Sequence, residues 1–209
     1  SKTVFNEKRQ VFDEKTLVEY FQEADGVVIG LEPITDNILS ACPKLKIVSK
    51  YGVGLDNVDL EACKRRSITV GWTGGVNRRG VAEMTLCFMI GLSRNIFFSE
   101  RRLHRFADWT KLGGVDLSGQ IVGVIGVGHI GKEVIRMLEP FGCEVLVNDI
   151  YDQSDYYRDH GVTEASKKEI YKTADIISIH TTLDAYTQRM INAEALDNMR
   201  KHTYLINVA

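Results

Sequence analysis

The chemistry of this chain starts from six residues, Gly126-Val127-Gly128-His129-Ile130-Gly131, whose three glycines are spaced as GxGxxG. Each glycine has a physical use. Gly126 permits a tight turn, Gly128 lets the backbone come close to a pyrophosphate, and Gly131 lets a following helix pack. A helix opening there turns unsatisfied N–H groups and a positive dipole end toward phosphate oxygens. Asp149 stands where a carboxylate accepts hydrogen bonds from a ribose diol, roughly 20 residues past the glycines. The same charge repels a 2′-phosphate, which favours NAD over NADP, and Ile150-Tyr151-Asp152 supplies no cation to reverse that preference.

The hexapeptide alone is a weak signal, and its flanks make it a strong one. Ile121–Ile125 reads as a buried strand, Ile130, Val134, Met137 and Leu138 share one helical face, Phe141-Gly142 ends that helix, and Glu144–Asn148 reads as the next strand. Two more strands follow. Ala174–Ile179 ends at His180-Thr181-Thr182, and Thr203–Ile206 ends at Asn207-Val208-Ala209. Both ends belong on the carboxyl edge that carries the glycine loop, where open α/β sheets bind ligands.

The preceding stretch is a smaller unit of the same kind. Short β-branched runs at Val27–Ile29, Lys46–Val48 and Ile68–Val70 alternate with helical segments at Glu14–Phe21, after Thr35 and after Asp59. Strand and helix in turn predict a parallel sheet. Lys50-Tyr51-Gly52-Val53-Gly54 leaves one of these strands and offers two glycines, free amides and an ammonium group; as residues alone they read equally as an ordinary glycine turn. Thr73-Gly74-Gly75-Val76 reads as a hinge. Asn77 then caps a helix predicted to run unbroken from Arg78 to about Phe106, apolar on all sides along Val81–Leu92 and therefore covered on several.

Composition sets bounds on the rest. The chain has 209 residues, 44% hydrophobic and 26% charged, with a formal net charge of −2. That balance suits a globular protein and excludes a disordered or collagen-like chain. It also argues against a nucleic-acid partner, and the basic Arg101–Arg105 run is read as a solvated helix end. No apolar run is long enough to span a membrane. Cys42, Cys63, Cys87 and Cys143 lack metal-ligand spacing, so no metal site is expected; they read as reduced, mostly buried thiols of a cytoplasmic protein.

Taken together, the ordered segments Tyr51–Asp59, Gly75-Val76-Asn77 with Val81-Ala82-Glu83, Leu117-Ser118-Gly119, Gly126–Gly131, Asp149, His180, Ile191–Glu194 and Ile206–Ala209 resemble the D-isomer-specific 2-hydroxyacid dehydrogenases. The resemblance implies a Rossmann-like doubly wound parallel sheet over residues 73–209, and a smaller flavodoxin-like α/β substrate domain over residues 1–72, both incomplete. It implies an NAD-dependent oxidoreductase acting on a small 2-hydroxy or 2-keto acid, and a homodimer paired through the helix beginning near Asn77. By position, Lys50 and the Val53 and Gly54 amides would hold the substrate carboxylate. Thr85, Gly126, Gly128, His129, Ile130, Gly131, Asp149, His180, Thr181, Thr182, Asn207, Val208 and Ala209 would line the cofactor.

Two departures from the family pattern stand out. His129 occupies a position that is often arginine, and His180-Thr181-Thr182 lacks the proline common after the histidine. The family's substrate-polarising arginine and its Glu/His acid–base pair follow the Asn-x-Ala strand end, so no catalytic side chain is expected among these residues. The first strand of the substrate domain is also expected to be missing, which marks the chain as truncated at both ends. An NAD-sensing corepressor built on the same fold is the alternative this sequence leaves open.

Overall fold

The computed structural model describes residues 2–209 and divides between Val76 and Asn77, a few residues beyond the expected Trp72/Thr73 boundary. In the first unit, α1 (Glu14–Phe21) begins at a reciprocal cap in which Thr16 N donates to Asp13 Oδ1 (2.8 Å) and Asp13 N donates to Thr16 Oγ1 (3.0 Å). There follow β1 (Gly26–Ile29), α2 (Asp36–Ala41), β2 (Ile47–Lys50), α3 (Leu60–Arg65) and β3 (Thr69–Gly71). The strands pair in parallel in the order β1-β2-β3, with Val27, Val48 and Val70 in register. Leu17, Ile29, Ile38, Leu39, Val48 and Ala62 form its core.

The second unit opens with α4 (Arg78–Ser93) and α5 (Ile96–Phe106). The predicted single helix is thus two, bent by 67°. The cause lies at Asn95, which adopts a left-handed conformation (φ 55°), a region asparagine enters more readily than most residues. The bend is seated by the Phe97 ring, which packs where a side chain at Gly91 would stand; a Cβ there would lie 2.5 Å from the ring. Asn77 precedes α4 but makes no side-chain cap bond. On α4, Ala82, Thr85 and Met89 are buried, whereas Met84 is 44% and Phe88 36% exposed within this chain.

Beyond them run β4 (Ile121–Ile125), α6 (His129–Leu138), a 3-10 turn (Glu139–Phe141), β5 (Glu144–Asn148), α7 (Ser154–Asp159), β6 (Thr163–Glu164), α8 (Lys167–Thr173), β7 (Ile176–Ile179), α9 (Ala193–Asn198) and β8 (Tyr204–Asn207). All five strands are parallel in the order β6-β5-β4-β7-β8. The chain winds one way from β4 through β5 and the other way through β7, so the switch point lies at the end of β4, where the glycine loop begins. Val122, Val124, Val134, Leu138, Val147 and Ile176 pack beneath it. All four cysteines are free; Cys42 and Cys63 are buried and Cys143 half-buried, while Cys87 is exposed. Among the described residues no single helix is long and apolar enough to cross a membrane, and no cluster of three potential ligands could hold a metal ion.

Candidate functional site

β4 delivers Gly126 to the carboxyl edge with φ +95°, a conformation side chains rarely adopt. A Cβ there would also stand 2.7 Å from the His180 carbonyl carbon and oxygen. Gly128 has extended dihedrals (φ −80°, ψ −154°) that suit other residues as well. Nothing lies within 4 Å of where its Cβ would be, leaving an open cradle before the helix. Gly131 permits the tightest approach: a Cβ would fall 2.0 Å from the Gly126 carbonyl oxygen, so α6 closes directly on the loop backbone. The amides of His129 and Ile130 precede any intrahelical acceptor, and no side chain caps α6, which leaves its positive end open. The His129 side chain is exposed.

Asp149 follows the end of β5 and turns toward this loop. Its Oδ2 accepts from Val127 N (2.6 Å) and its Oδ1 from Tyr151 N (3.0 Å). The Val127 carbonyl in turn accepts from Gln153 Nε2 (3.1 Å). Nearby, Tyr157 is buried and its hydroxyl makes no hydrogen bond; burial, reinforced by Asp149, Glu164 and Asp152, pushes it up to about 12. Behind the loop, Glu133 on α6 is buried between Arg136 (2.6 Å) and Arg79 (3.1 Å), whose hydrogen bonds hold its carboxyl below the usual range.

On the other side of β4, His180 N donates to Ile125 O (2.8 Å) and prolongs the β7–β4 ladder. Its Nε2 lies 2.8 Å from Ser178 Oγ, while Nδ1 is buried with no partner. Burial pulls the imidazole down to about 4, so it is neutral near pH 7. Thr181, Thr182, Asn207 and Ala209 come together around a cavity of about 320 Å3, floored by Ile179, Met190 and Ile191. Ala209 N donates to Asn207 Oδ1 (3.1 Å), and Val208 packs against the core. Thr85 is fully buried in α4, and its hydroxyl proton goes to Val81 O (2.8 Å).

The first unit holds the other predicted residues. The Lys50 ammonium donates to Gly30 O and to Asn57 Oδ1 (2.8 Å), while Asn57 Nδ2 donates to Glu32 O (2.7 Å). Lys50 therefore braces the carboxyl ends of β1 and β2 and keeps one of its three protons for another acceptor. The Val53 carbonyl accepts from Trp72 Nε1 (2.9 Å), whereas the Val53 and Gly54 amides donate to no protein acceptor among the described residues. A larger cavity of about 670 Å3, lined by Phe12, Tyr20 and Val28, contains none of the predicted residues. Sequence reading missed Gln153 and Ser178. A glutamine in a polar loop gives no warning, but a serine within Ile176-Ile177-Ser178-Ile179, a wholly buried strand, is a legible anomaly.

Comparison with known proteins agrees with this geometry. Residues 86–209 match the family model described as D-isomer specific 2-hydroxyacid dehydrogenase, NAD binding domain. The chain is 29% identical over 202 residues to a glyoxylate reductase of Korarchaeum cryptofilum, covering 93% of this chain and 60% of that one. It is 31% identical over 197 residues to a D-3-phosphoglycerate dehydrogenase of Methanocaldococcus jannaschii, covering 92% and 37%. Among solved structures, the D-lactate dehydrogenase from Aquifex aeolicus complexed with NAD and lactic acid matches with a TM-score of 0.83 and 30% identity over 92% of this chain and 58% of that one. The chain thus spans less than two thirds of the length of each of these relatives. With a glycine loop and acidic residue arranged for a dinucleotide, and a family match over more than half its length, the chain belongs to the D-isomer specific 2-hydroxyacid dehydrogenases.

Proposed function

We propose that the protein to which this chain belongs is an NAD-dependent oxidoreductase that transfers hydride between the nicotinamide and a small 2-hydroxy or 2-keto acid. The observation that carries this reading is the glycine loop: an open cradle at Gly128, free amides at His129 and Ile130, and Asp149 turned toward the same loop. These residues fit a dinucleotide, with the α6 amides meeting the pyrophosphate and the remaining lone pairs of Asp149 accepting from the adenosine ribose. The bound cofactor would supply hydride chemistry, which the side chains of the chain do not. The chain's own part is to bind and orient. His180, kept neutral, and the polar rim of Thr181, Thr182 and Asn207 would border the nicotinamide half. Lys50 and the free amides of Val53 and Gly54 suit a substrate carboxylate.

A homodimer is proposed on the same basis. Met84 and Phe88 on α4, with Ile96, Phe97, Phe98 and Phe106 on α5, leave an apolar surface exposed of the kind that marks protein contacts. Titration of the protein with NADH, followed by cofactor fluorescence, tests the cofactor assignment. Asp149→Ala is expected to weaken NADH about tenfold or more, and to narrow the gap to NADPH, because it removes both a charged acceptor and the repulsion of a 2′-phosphate. Equal NADH affinities for the two proteins would remove Asp149 from the ribose.

A further inference from the structure

Val127, the middle residue of the first glycine pair, is tied at both of its backbone polar groups by side chains from one short loop. Its N–H donates to Asp149 Oδ2 at 2.6 Å, and its carbonyl accepts from Gln153 Nε2 at 3.1 Å. The Val127 side chain is fully buried, so the residue is pinned at three points. Because a peptide group is planar, holding the Val127 carbonyl also fixes the direction of the Gly128 N–H and hence the plane from which α6 starts. Beyond it, the Gly128 carbonyl accepts from Lys132 N (3.0 Å) as the first bond of α6, but among the described residues no other side chain holds the Val127–Gly128 peptide. Gly128 carries no side chain, and no neighbour lies within 4 Å of its Cβ position. Gln153 is itself well placed, since it is the residue before α7 and its own carbonyl accepts from Tyr157 N (3.0 Å). The buried Tyr157 thus anchors the far end of the tie.

From this arrangement we infer that Gln153 is a positioning residue for phosphate binding: its amide fixes the Val127–Gly128 peptide so that the His129 and Ile130 amides stand ready for the pyrophosphate before it arrives. Asp149 combines two tasks, ribose acceptor and loop tie, whereas Gln153 has only the second. Losing Gln153 frees a peptide that must then be ordered at the moment of binding, and that cost falls on phosphate-bearing ligands. The inference rests on the dinucleotide reading above.

Gln153→Met separates the possibilities, since methionine has a similar length and no donor. NADH, ADP-ribose and adenosine are titrated against wild type and variant, with adenosine and ADP-ribose followed by the shifts of assigned backbone amides. The expected result is NADH and ADP-ribose weakened about fivefold, the scale of one neutral hydrogen bond, with adenosine unchanged because it meets only the Asp149 side of the site. Faster hydrogen exchange at Val127, whose N–H is held by Asp149 Oδ2, is expected alongside in the ligand-free variant. Unchanged NADH affinity in Gln153→Met overturns the inference and leaves the dinucleotide reading intact. An equal loss for adenosine also overturns it, since that pattern means general loosening of the site. Wild-type protein that binds neither NADH nor ADP-ribose defeats the dinucleotide reading, and the role of Gln153 falls with it.

Discussion

Replacing Gly128 and Gly131 by alanine, one at a time, separates folding from binding at the loop. At Gly131 the added Cβ would fall 2.0 Å from the Gly126 carbonyl oxygen, well inside any normal contact, and both sides are backbone. Helix α6 must withdraw by about 1 Å or more, an overpacking cost of about 3 kcal/mol. Alanine returns about 1 kcal/mol through its better helix propensity. The net loss of about 2 kcal/mol lowers the melting temperature of the second unit by about 8 °C. At Gly128 the Cβ meets nothing, so the stability cost is that of an alanine N-cap, under about 1 kcal/mol. The methyl group instead fills the cradle. Holding a pyrophosphate off two amides removes two charge-assisted hydrogen bonds, which at about 1.5 kcal/mol each is roughly a hundredfold in NADH affinity. Calorimetry and NADH titration on the two variants give the paired readout: Gly131→Ala loses stability and affinity together, Gly128→Ala affinity alone. A Gly128→Ala protein that binds NADH like wild type refutes the cradle, and a Gly131→Ala protein that melts like wild type refutes the close approach of helix and loop.

Two further outcomes are expected. His180, with its imidazole lowered from an ordinary 6.5 to about 4, binds fewer protons folded than unfolded between those values, so stability present above pH 6.5 is lost as pH falls toward 4. That contribution is at most about 3 kcal/mol, and denaturant titrations at pH 7 and pH 4.5 should show a smaller difference in His180→Gln than in wild type. Lys50→Met removes the donor shared by Gly30 O and Asn57 Oδ1; it should destabilise the first unit by about 1–2 kcal/mol in denaturant unfolding, and an unchanged midpoint would show that the brace carries no load.

Much of this organisation can be read from residue order because it depends on backbone requirements that few residues satisfy. The strand–loop–helix–strand unit from Ile121 to Asn148 was legible since a positive φ at Gly126 and the contact at Gly131 admit almost nothing but glycine, while the strands are short runs rich in valine and isoleucine or leucine. Features decided by tertiary contact were not legible. The break at Asn95 lies in a segment with no proline, and its stabilising partner, the Phe97 ring over Gly91, appears only when the chain has folded back. Lys50 reads as an exposed cation until Gly30 and Asn57 are brought beside it. Nothing in the sequence singles out Glu133, which is buried only because Arg79 and Arg136, both largely exposed, reach over it. The Thr85 hydroxyl gives no sign in the sequence that its proton goes to Val81 O within its own helix, a common arrangement of threonine in helices.

The elbow between α4 and α5 has a consequence for how the chain presents itself to other molecules. The heading of α5 is set by a missing side chain, the empty place at Gly91 into which Phe97 leans. The surface borne by α5, with Ile96, Phe98, Leu103 and Phe106, is therefore steered from a position that does not belong to that surface. A bulkier residue at 91 must evict the phenyl ring and swing the whole arm, redirecting every side chain along it while leaving each of them chemically unaltered. The orientation of this apolar surface can thus drift through a single buried site, without any change in the side chains it bears.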